Sequence, residues 1–163
     1  MTRRVANGAF TTLLLAAGYV LAGKVAFALA FATTSIAPVW LPSGLAVAAV
    51  LLRGYRVAPG IALGAFVFNA MTPVPLWTSA AIAVGNVCEA LLAGWLLRRV
   101  GLRAELDRTR DVLAFAGLAA GVSTTVSATG GVLGLWAAGV LTAGTAGGAW
   151  LLWWSGDAVG LLT

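Results

Sequence analysis

Long apolar runs dominate this chain of 163 residues. Its first part contains four of them, at 8–31, 44–52, 57–71 and 76–97. A helix needs about 20 apolar residues to cross the hydrocarbon core of a bilayer, and the first and fourth runs reach that length. Hydrophobic residues make up 61% of the chain and charged residues 9%, which excludes an ordinary soluble domain. The sequence therefore predicts an all-α fold, a polytopic bundle of transmembrane helices in a lipid bilayer.

Prolines and one polar segment separate these runs. The break at 33–44, TTSIAPVWLPSG, leaves the second run short unless the break itself dips into the membrane. Pro59 falls in the first turn of the third run, where a helix tolerates proline. TPVP at 72–75 ends that run, and the polar segment at 98–111 is predicted to be a surface connection. Four spans are therefore expected before residue 112.

The second half divides less clearly. Clusters of glycine and threonine interrupt an otherwise apolar stretch that begins at Val112. One helix is predicted over 112–127 and another over 146–162. The piece at 130–141 could continue the first of these, form a re-entrant element or add a span, because periodicity does not distinguish the three. About six spans are expected, with seven as the alternative.

The arginines indicate the orientation. All of them fall at the N-terminus or in alternate connections between the predicted spans, whereas the connections at 36–41 and 72–75 carry no charge. Lysine and arginine in short loops mark the cytoplasmic side, so the N-terminus is predicted to be cytoplasmic and the protein a multi-pass plasma-membrane protein. The net charge of +5 is thereby explained without a nucleic-acid partner. The residues concerned are Arg3, Arg4, Arg53, Arg56, Arg98, Arg99, Arg103, Arg108 and Arg110.

Several kinds of chemistry are absent from the sequence. The chain has no histidine, which excludes histidine metal ligands, imidazole catalysis and a phospho-accepting histidine within it. A single cysteine, Cys88, allows no intrachain disulfide. No catalytic residue, metal site or cofactor is predicted, and the chain is not expected to be an enzyme. Glycine pairs four residues apart, such as Gly156 and Gly160, predict close helix packing within the chain, or alternatively a homodimer face.

Three charged residues fall within the predicted spans. Counting 1.5 Å per residue places Lys24 near the outer surface, Asp157 about 15 Å from the outer edge and Glu89 about 20 Å from it. Lys24 could extend its ammonium group outward or reach down to Asp157. Charges at such depths are costly and usually face a cavity or the bundle interior, so Glu89 and Asp157 are candidate functional residues.

Glu89 has amide neighbours on the predicted helices. Asn86 lies three residues earlier on the same face, and Asn69 is at a comparable depth on the preceding span. These three side chains are expected to form a polar pocket, either as a structural hydrogen-bond network or as a ligand or proton site. Without a cationic partner, Glu89 is expected to be protonated or held by the two amides. Glu89→Leu is then expected to destabilise the protein, because it would leave those amides unpaired.

Tryptophans gather just before Asp157. Trp150, Trp153 and Trp154 are typical of an aromatic belt at the membrane surface. Alternatively they form an aromatic wall over a pocket that includes Asp157. Composition does not distinguish these two interpretations.

Four motifs together resemble a known family. They are VWLPSGLAVAAVLLRGYRVAPGIALGAFVFN, AIAVGNVCEALLAGWLLRR, LDRTRDVLAF and WWSGDAVG. In their order and spacing over about 16–163, the chain is similar to the MASE1 domain, a bacterial integral-membrane sensory domain. The family pattern implies matching positions in its Trp-Pro-Pro-small-Gly, Gly-Asn-x-x-Glu and Trp-Trp-x-Gly-Asp elements. Here these are Trp40, Leu41 (in place of the first proline), Pro42, Ser43 and Gly44; Gly85, Asn86 and Glu89; and Trp153, Trp154, Gly156 and Asp157.

The resemblance implies a function for the whole chain, 1–163, as one sensor domain. It would detect a small ligand or a membrane partner and pass the signal to a cytoplasmic histidine kinase or diguanylate cyclase output domain that this chain lacks. The chain is accordingly expected to be cut short at its C-terminal end. The alternative is a small-molecule transporter or a substrate-binding membrane subunit. The candidate ligand-binding or signalling residues are Trp40, Pro42, Asn69, Asn86, Glu89, Trp153, Trp154 and Asp157.

Overall fold

A computed structural model describes residues 2–29, 37–103 and 105–163, with side chains from Gly8 onward within these ranges. The side chains of Arg3 and Arg4, and the start of the predicted uncharged connection at 36–41, lie outside the described residues.

The described residues form helices and connections, without a strand, which confirms the predicted all-α class. Three helical stretches are long and apolar enough to cross a membrane: Gly8–Ala28, Leu76–Arg99 and Thr109–Ala137. The second and third helices have 13 residues each, or about 20 Å of rise, which is less than the hydrocarbon thickness. The helices are α1 (Thr2–Ala28), α2 (Leu41–Arg53), α3 (Ala58–Ala70), α4 (Leu76–Arg99), α5 (Thr109–Ala137) and α6 (Ala143–Leu162).

The predicted end of α5 at Ser127 is wrong, because the helix continues to Ala137. The glycine and threonine cluster does not break it, since no water competes for backbone groups in an apolar setting. The Thr124 hydroxyl instead donates a hydrogen bond to the Ala120 carbonyl of its own helix at 2.7 Å. Thr124 directly follows a π-helical stretch at Phe115–Ser123. The piece at 130–141 is thus mainly a continuation. It ends where Gly139 adopts a φ of 72°, a left-handed conformation typical of a helix C-terminus.

Helices that follow one another along the chain alternate in direction. Along the α1–α3 contact, Gly60 lies against Thr12 and Gly64 against Ala16, so these two helices run parallel. At α4–α5 the order reverses, with Gly85 beside Ser127 and the more N-terminal Thr78 beside the more C-terminal Gly134. The pattern continues to α6, which runs parallel to α2. Predicted glycine packing within the chain is confirmed for these contacts.

Alternation brings the arginine-bearing connections to one end of the bundle. Arg98, near the end of α4, donates to the Val50 carbonyl near the end of α2 at 2.6 Å. Its guanidinium also lies 4.7 Å from the ring centroid of Tyr55 in the turn before α3. Arg110, at the start of α5, donates to the Val100 carbonyl just after α4. We call this end the arginine end; the connection at 72–75 lies at the other end.

The segment before α2 enters the bundle. Ala37 to Trp40 are not helical, yet Ala37 is buried and the Trp40 N–H donates to the Gly156 carbonyl of α6 at 2.8 Å. A Cβ on Gly156 would lie 2.5 Å from the Ala37 carbonyl oxygen, so only glycine permits this approach. The described part of the break at 33–44 therefore enters the bundle. This is the condition under which the short second run was expected to belong to a full span. Trp40 accordingly packs inside the bundle rather than in an outer connection.

Candidate functional site

A cavity of about 310 Å³ opens between the helices at the end opposite the arginine end. Its mouth is formed by the connection between α3 and α4 and by Val140, just after α5. Five of the eight candidate residues line it, from three different helices and from the segment before α2. They are Trp40, Asn69, Asn86, Trp153 and Asp157, joined by apolar side chains that include Phe27, Phe68, Ile82 and Leu135.

Three candidate residues lie away from the cavity. Pro42 is buried in the first turn of α2, where it leaves no helical N–H unpaired. The Trp154 indole donates to the Gly121 carbonyl at 2.9 Å and stacks on Trp150 at 6.4 Å between ring centroids. Glu89 follows Asn86 by one turn of α4 in the direction of the arginine end.

Asp157 is fully buried at the inner wall of the cavity. Its Oδ1 accepts a hydrogen bond from the Ser43 hydroxyl at 3.2 Å, which joins α6 to the first turn of α2. Its Oδ2 has no hydrogen-bond partner. The contact is possible because Gly44 and Gly160 let the two helices approach until their backbones touch. A buried carboxyl with one unused oxygen is a group that a ligand can engage.

Ser127 connects the two other polar walls of the cavity. Its hydroxyl donates to Asn86 Oδ1 at 2.9 Å and accepts from the Trp153 indole N–H at 3.1 Å. The Trp153 ring lies over Gly131, where a Cβ would overlap it. Trp153 is therefore a fixed wall of the cavity, whereas Trp150 and Trp154 do not line it, so one tryptophan of the three fits the interpretation as an aromatic wall. Asn86 Nδ2 is buried without a partner.

The partners of Glu89 differ from those expected. Asn69 donates to the Ala65 carbonyl of its own helix at 2.8 Å, and neither oxygen of Glu89 has a hydrogen bond. The polar neighbours of Glu89 are instead Ser43, Ser127 and Asp157. Because α6 begins at Ala143 rather than at 146, Asp157 lies further along its helix than expected, at the same depth as Glu89. Asp157 and Glu89 each lie about 20 Å along their helices from the end at which the cavity opens.

The buried carboxyl groups lack a cationic partner among the described side chains. Lys24 is exposed and does not reach Asp157. The described arginines flank the helix ends at the arginine end or lie in the connections there. The cluster of Asp157 and Glu89 therefore carries an uncompensated acidic character. No group of three or more metal-binding side chains occurs in the described part of the chain.

Ser43, Ser127 and Tyr19 were not among the predicted site residues. Ser43 stands within the quoted WLPSG element, so its place in the motif was a usable signal. Ser127 was assigned to a helix end, which concealed its role between α4 and α6. Tyr19 is fully buried in α1, with its hydroxyl unpaired and its ring 6.3 Å from that of Trp40. Nothing in its sequence context distinguishes it from an interfacial tyrosine.

The family comparison covers the helices that build this cavity. The MASE1 family profile matches residues 11–163. Searches of curated proteins and of solved structures give no match. MASE1 is a membrane-associated sensory domain, rather than a catalytic one, and occurs in signalling proteins that have cytoplasmic output domains. With nearly its whole length matched, the chain belongs to the MASE1 family.

Proposed function

We propose that this domain is the ligand-sensing input of a bacterial signalling protein and that its cavity is the sensing site. The observation that carries the proposal is the cavity of about 310 Å³ with the unpaired Oδ2 of Asp157 and the unpaired Nδ2 of Asn86 at its walls. Buried polar groups without partners cost stability, so a fold that keeps them beside an open cavity favours a binding role. The output is a cytoplasmic kinase or cyclase domain.

The proposed membrane arrangement follows from the helix directions. Six helices that alternate in direction cross the bilayer, with the N-terminus and the arginine end on the cytoplasmic side. The cavity then opens to the outside of the plasma membrane. The helices α2 and α3 are each shorter than the hydrocarbon core. The segment at 37–40 lengthens the span that contains α2, and the turn at Tyr55–Val57 lengthens the span that contains α3.

Signal transfer is proposed to run along α2 and α6. Both helices lead from the cavity to the arginine end, and the bond from Ser43 to Asp157 ties them together beside the cavity. A ligand that changes this contact shifts the balance between two packings of α2 on α6. That shift reaches the output domain because both helices end at the cytoplasmic side.

Occlusion of the cavity tests the sensing role. Val74 is a half-buried mouth residue outside the polar cluster, so Val74→Trp fills the entrance and leaves Asp157 untouched. We compare two growth media in which the wild-type signalling protein gives different outputs. The intact signalling protein with Val74→Trp is expected to give the same output in both. Val84→Trp is the matched control, because Val84 is 62% exposed on α4 and lines no part of the cavity. A normal response of the Val74→Trp protein would contradict a sensing role for this cavity.

A second candidate is a transporter or substrate-binding subunit, favoured by the non-helical segment at 37–40 beside the cavity. Transport requires a path from the cavity to the arginine end. The close contact of Gly44 with Gly160 obstructs such a path between α2 and α6. Accumulation of a cavity ligand in proteoliposomes that contain the purified chain would support the transporter, whereas binding without accumulation supports the sensor.

A further inference from the structure

We infer that the cavity binds a small organic cation, an amine or ammonium group on an apolar body, with Asp157 as its counter-ion. The inference rests on the proposed sensing function and specifies the ligand class of the same site.

The charge of the site favours a cation. Among the described residues that line the cavity, Asp157 is the one charged residue, and Glu89 is its neighbour. Arg98 is engaged with Val50 and Tyr55 at the arginine end, and Lys24 is exposed. A cation placed in the cavity therefore meets the Asp157 carboxyl group, has Glu89 behind it and, among the described side chains, faces no competing positive charge. An anionic ligand would meet the same groups in a low-dielectric setting and be repelled.

The walls favour an organic cation over a metal ion. Trp40, Phe27, Phe68 and Trp153 supply aromatic surface, with Trp40 and Phe68 only 5.0 Å apart between ring centroids. Ammonium groups bind to aromatic faces, whereas metal ions require several oxygen, nitrogen or sulfur ligands. The described residues offer no such group of three. A volume of about 310 Å³ is at the small end for ligand pockets, which fits a compact amine.

The same carboxyl group connects binding to the helix contact. Oδ1 of Asp157 is held by Ser43, and Oδ2 is enclosed beneath the cavity surface. A bound ammonium group that pairs with this carboxylate competes with the Ser43 hydroxyl for it. Cation binding thereby weakens the bond that ties α2 to α6. Recognition of charge and weakening of the helix contact are one event at Asp157.

Three probes of similar size and different charge test the inference. They are 2-phenylethylammonium, 2-phenylethanol and 3-phenylpropanoate, titrated calorimetrically against the purified chain in detergent micelles. We expect the ammonium probe to bind at least tenfold more tightly than the alcohol, and the carboxylate probe not to bind. Asp157→Asn preserves shape and a carbonyl acceptor for Ser43, and should lower affinity for the ammonium probe at least tenfold while leaving the alcohol unchanged.

Two controls locate the effect. Glu105→Gln removes a carboxylate in the exposed connection after α4 and should change no affinity. Val74→Trp should abolish binding of the ammonium probe, because it fills the cavity mouth. Equal affinities for the ammonium and alcohol probes, retention of the preference in Asp157→Asn, or no binding by any probe would each overturn the inference. None of these results decides the sensing role itself, which fails separately if the Val74→Trp signalling protein responds normally.

Discussion

Glu89 and Asp157 are buried to the same degree but have different hydrogen-bond environments. Asp157 is 0% exposed and receives one hydrogen bond from Ser43, whereas Glu89 is 1% exposed and receives none. The hydroxyl groups nearest to Glu89 already have acceptors elsewhere, since Ser43 donates to Asp157 and Ser127 donates to Asn86. Removing the Glu89 carboxyl therefore leaves no donor without its partner.

This difference predicts the stability of Glu89 variants. Glu89→Leu should raise the free energy of unfolding by about 1–3 kcal/mol, because an apolar side chain of similar size replaces two unsatisfied buried oxygens. Glu89→Gln should stay close to the wild type. Thermal unfolding in detergent measures both. A Leu variant less stable than the Gln variant would contradict this prediction and would support the amide-held Glu89 expected from sequence.

The burial of these residues in the bundle could be predicted from sequence, but their pairing could not. A carboxylate within an apolar run indicates a costly group wherever the helix packs, so Glu89 and Asp157 were identifiable one at a time. Their meeting depends on where α6 begins and on which helices touch, and both are set by long-range packing. The Asn69 amide illustrates the same limit, because its own helix offered the Ala65 carbonyl as an acceptor.

At the scale of the element, the contact between α2 and α6 depends on three glycines. Gly44, Gly156 and Gly160 face backbone carbonyls or helix backbone across the contact, so an added methyl group meets atoms that cannot rotate away. Glycines at 144, 147 and 148 of the same α6 helix have open surroundings instead. The four-residue glycine spacing alone did not distinguish the packed pair from the unpacked one.

Alanine substitutions in α6 should therefore separate into two groups. Gly160→Ala should lower the free energy of unfolding by about 1–3 kcal/mol, because its Cβ would overlap the Trp40 carbonyl oxygen. Gly148→Ala should be neutral or stabilising by up to about 1 kcal/mol, because it meets no atom and favours the helix. Thermal unfolding of the two variants in the same micelles gives the comparison. Equal stabilities would mean that α2 and α6 do not approach as closely as described.

The boundaries of the elements followed the sequence where proline or charge marked them. Pro59 lies in the first turn of α3, Pro75 precedes α4 and the arginine pair ends α4, all near the predicted positions. The prediction is wrong within 112–141, where the sequence pattern treats glycine and threonine as helix breakers. These residues end helices in water by exposing or capping the backbone. Inside an apolar bundle the hydroxyl of Thr124 bonds to its own helix, and α5 continues.

At the scale of the whole molecule, the arrangement separates two chemistries. The cavity with its acidic wall lies toward one end, and the arginine-bearing connections lie at the other. Alternating helix directions produce this separation, and the arginine pattern predicts from sequence that the arginines gather at one end. The pattern could not reveal the cavity, because this cavity is the space left by side chains from six separate segments of the described chain.

The last prediction concerns the sidedness of this arrangement. In a Cys88→Ala background, Pro75→Cys should react with a membrane-impermeant maleimide in intact cells, whereas Arg103→Cys should react only after the membrane is permeabilised. Both positions are exposed in connections between helices, so the bilayer rather than protein packing decides their reactivity. Short loops rich in arginine are retained on the cytoplasmic side, and the connection after α4 is the richest in this chain. Labelling of Arg103→Cys from outside would mean that the bundle has the opposite orientation, with the cavity mouth in the cytoplasm. That result would contradict an extracellular route for the ligand.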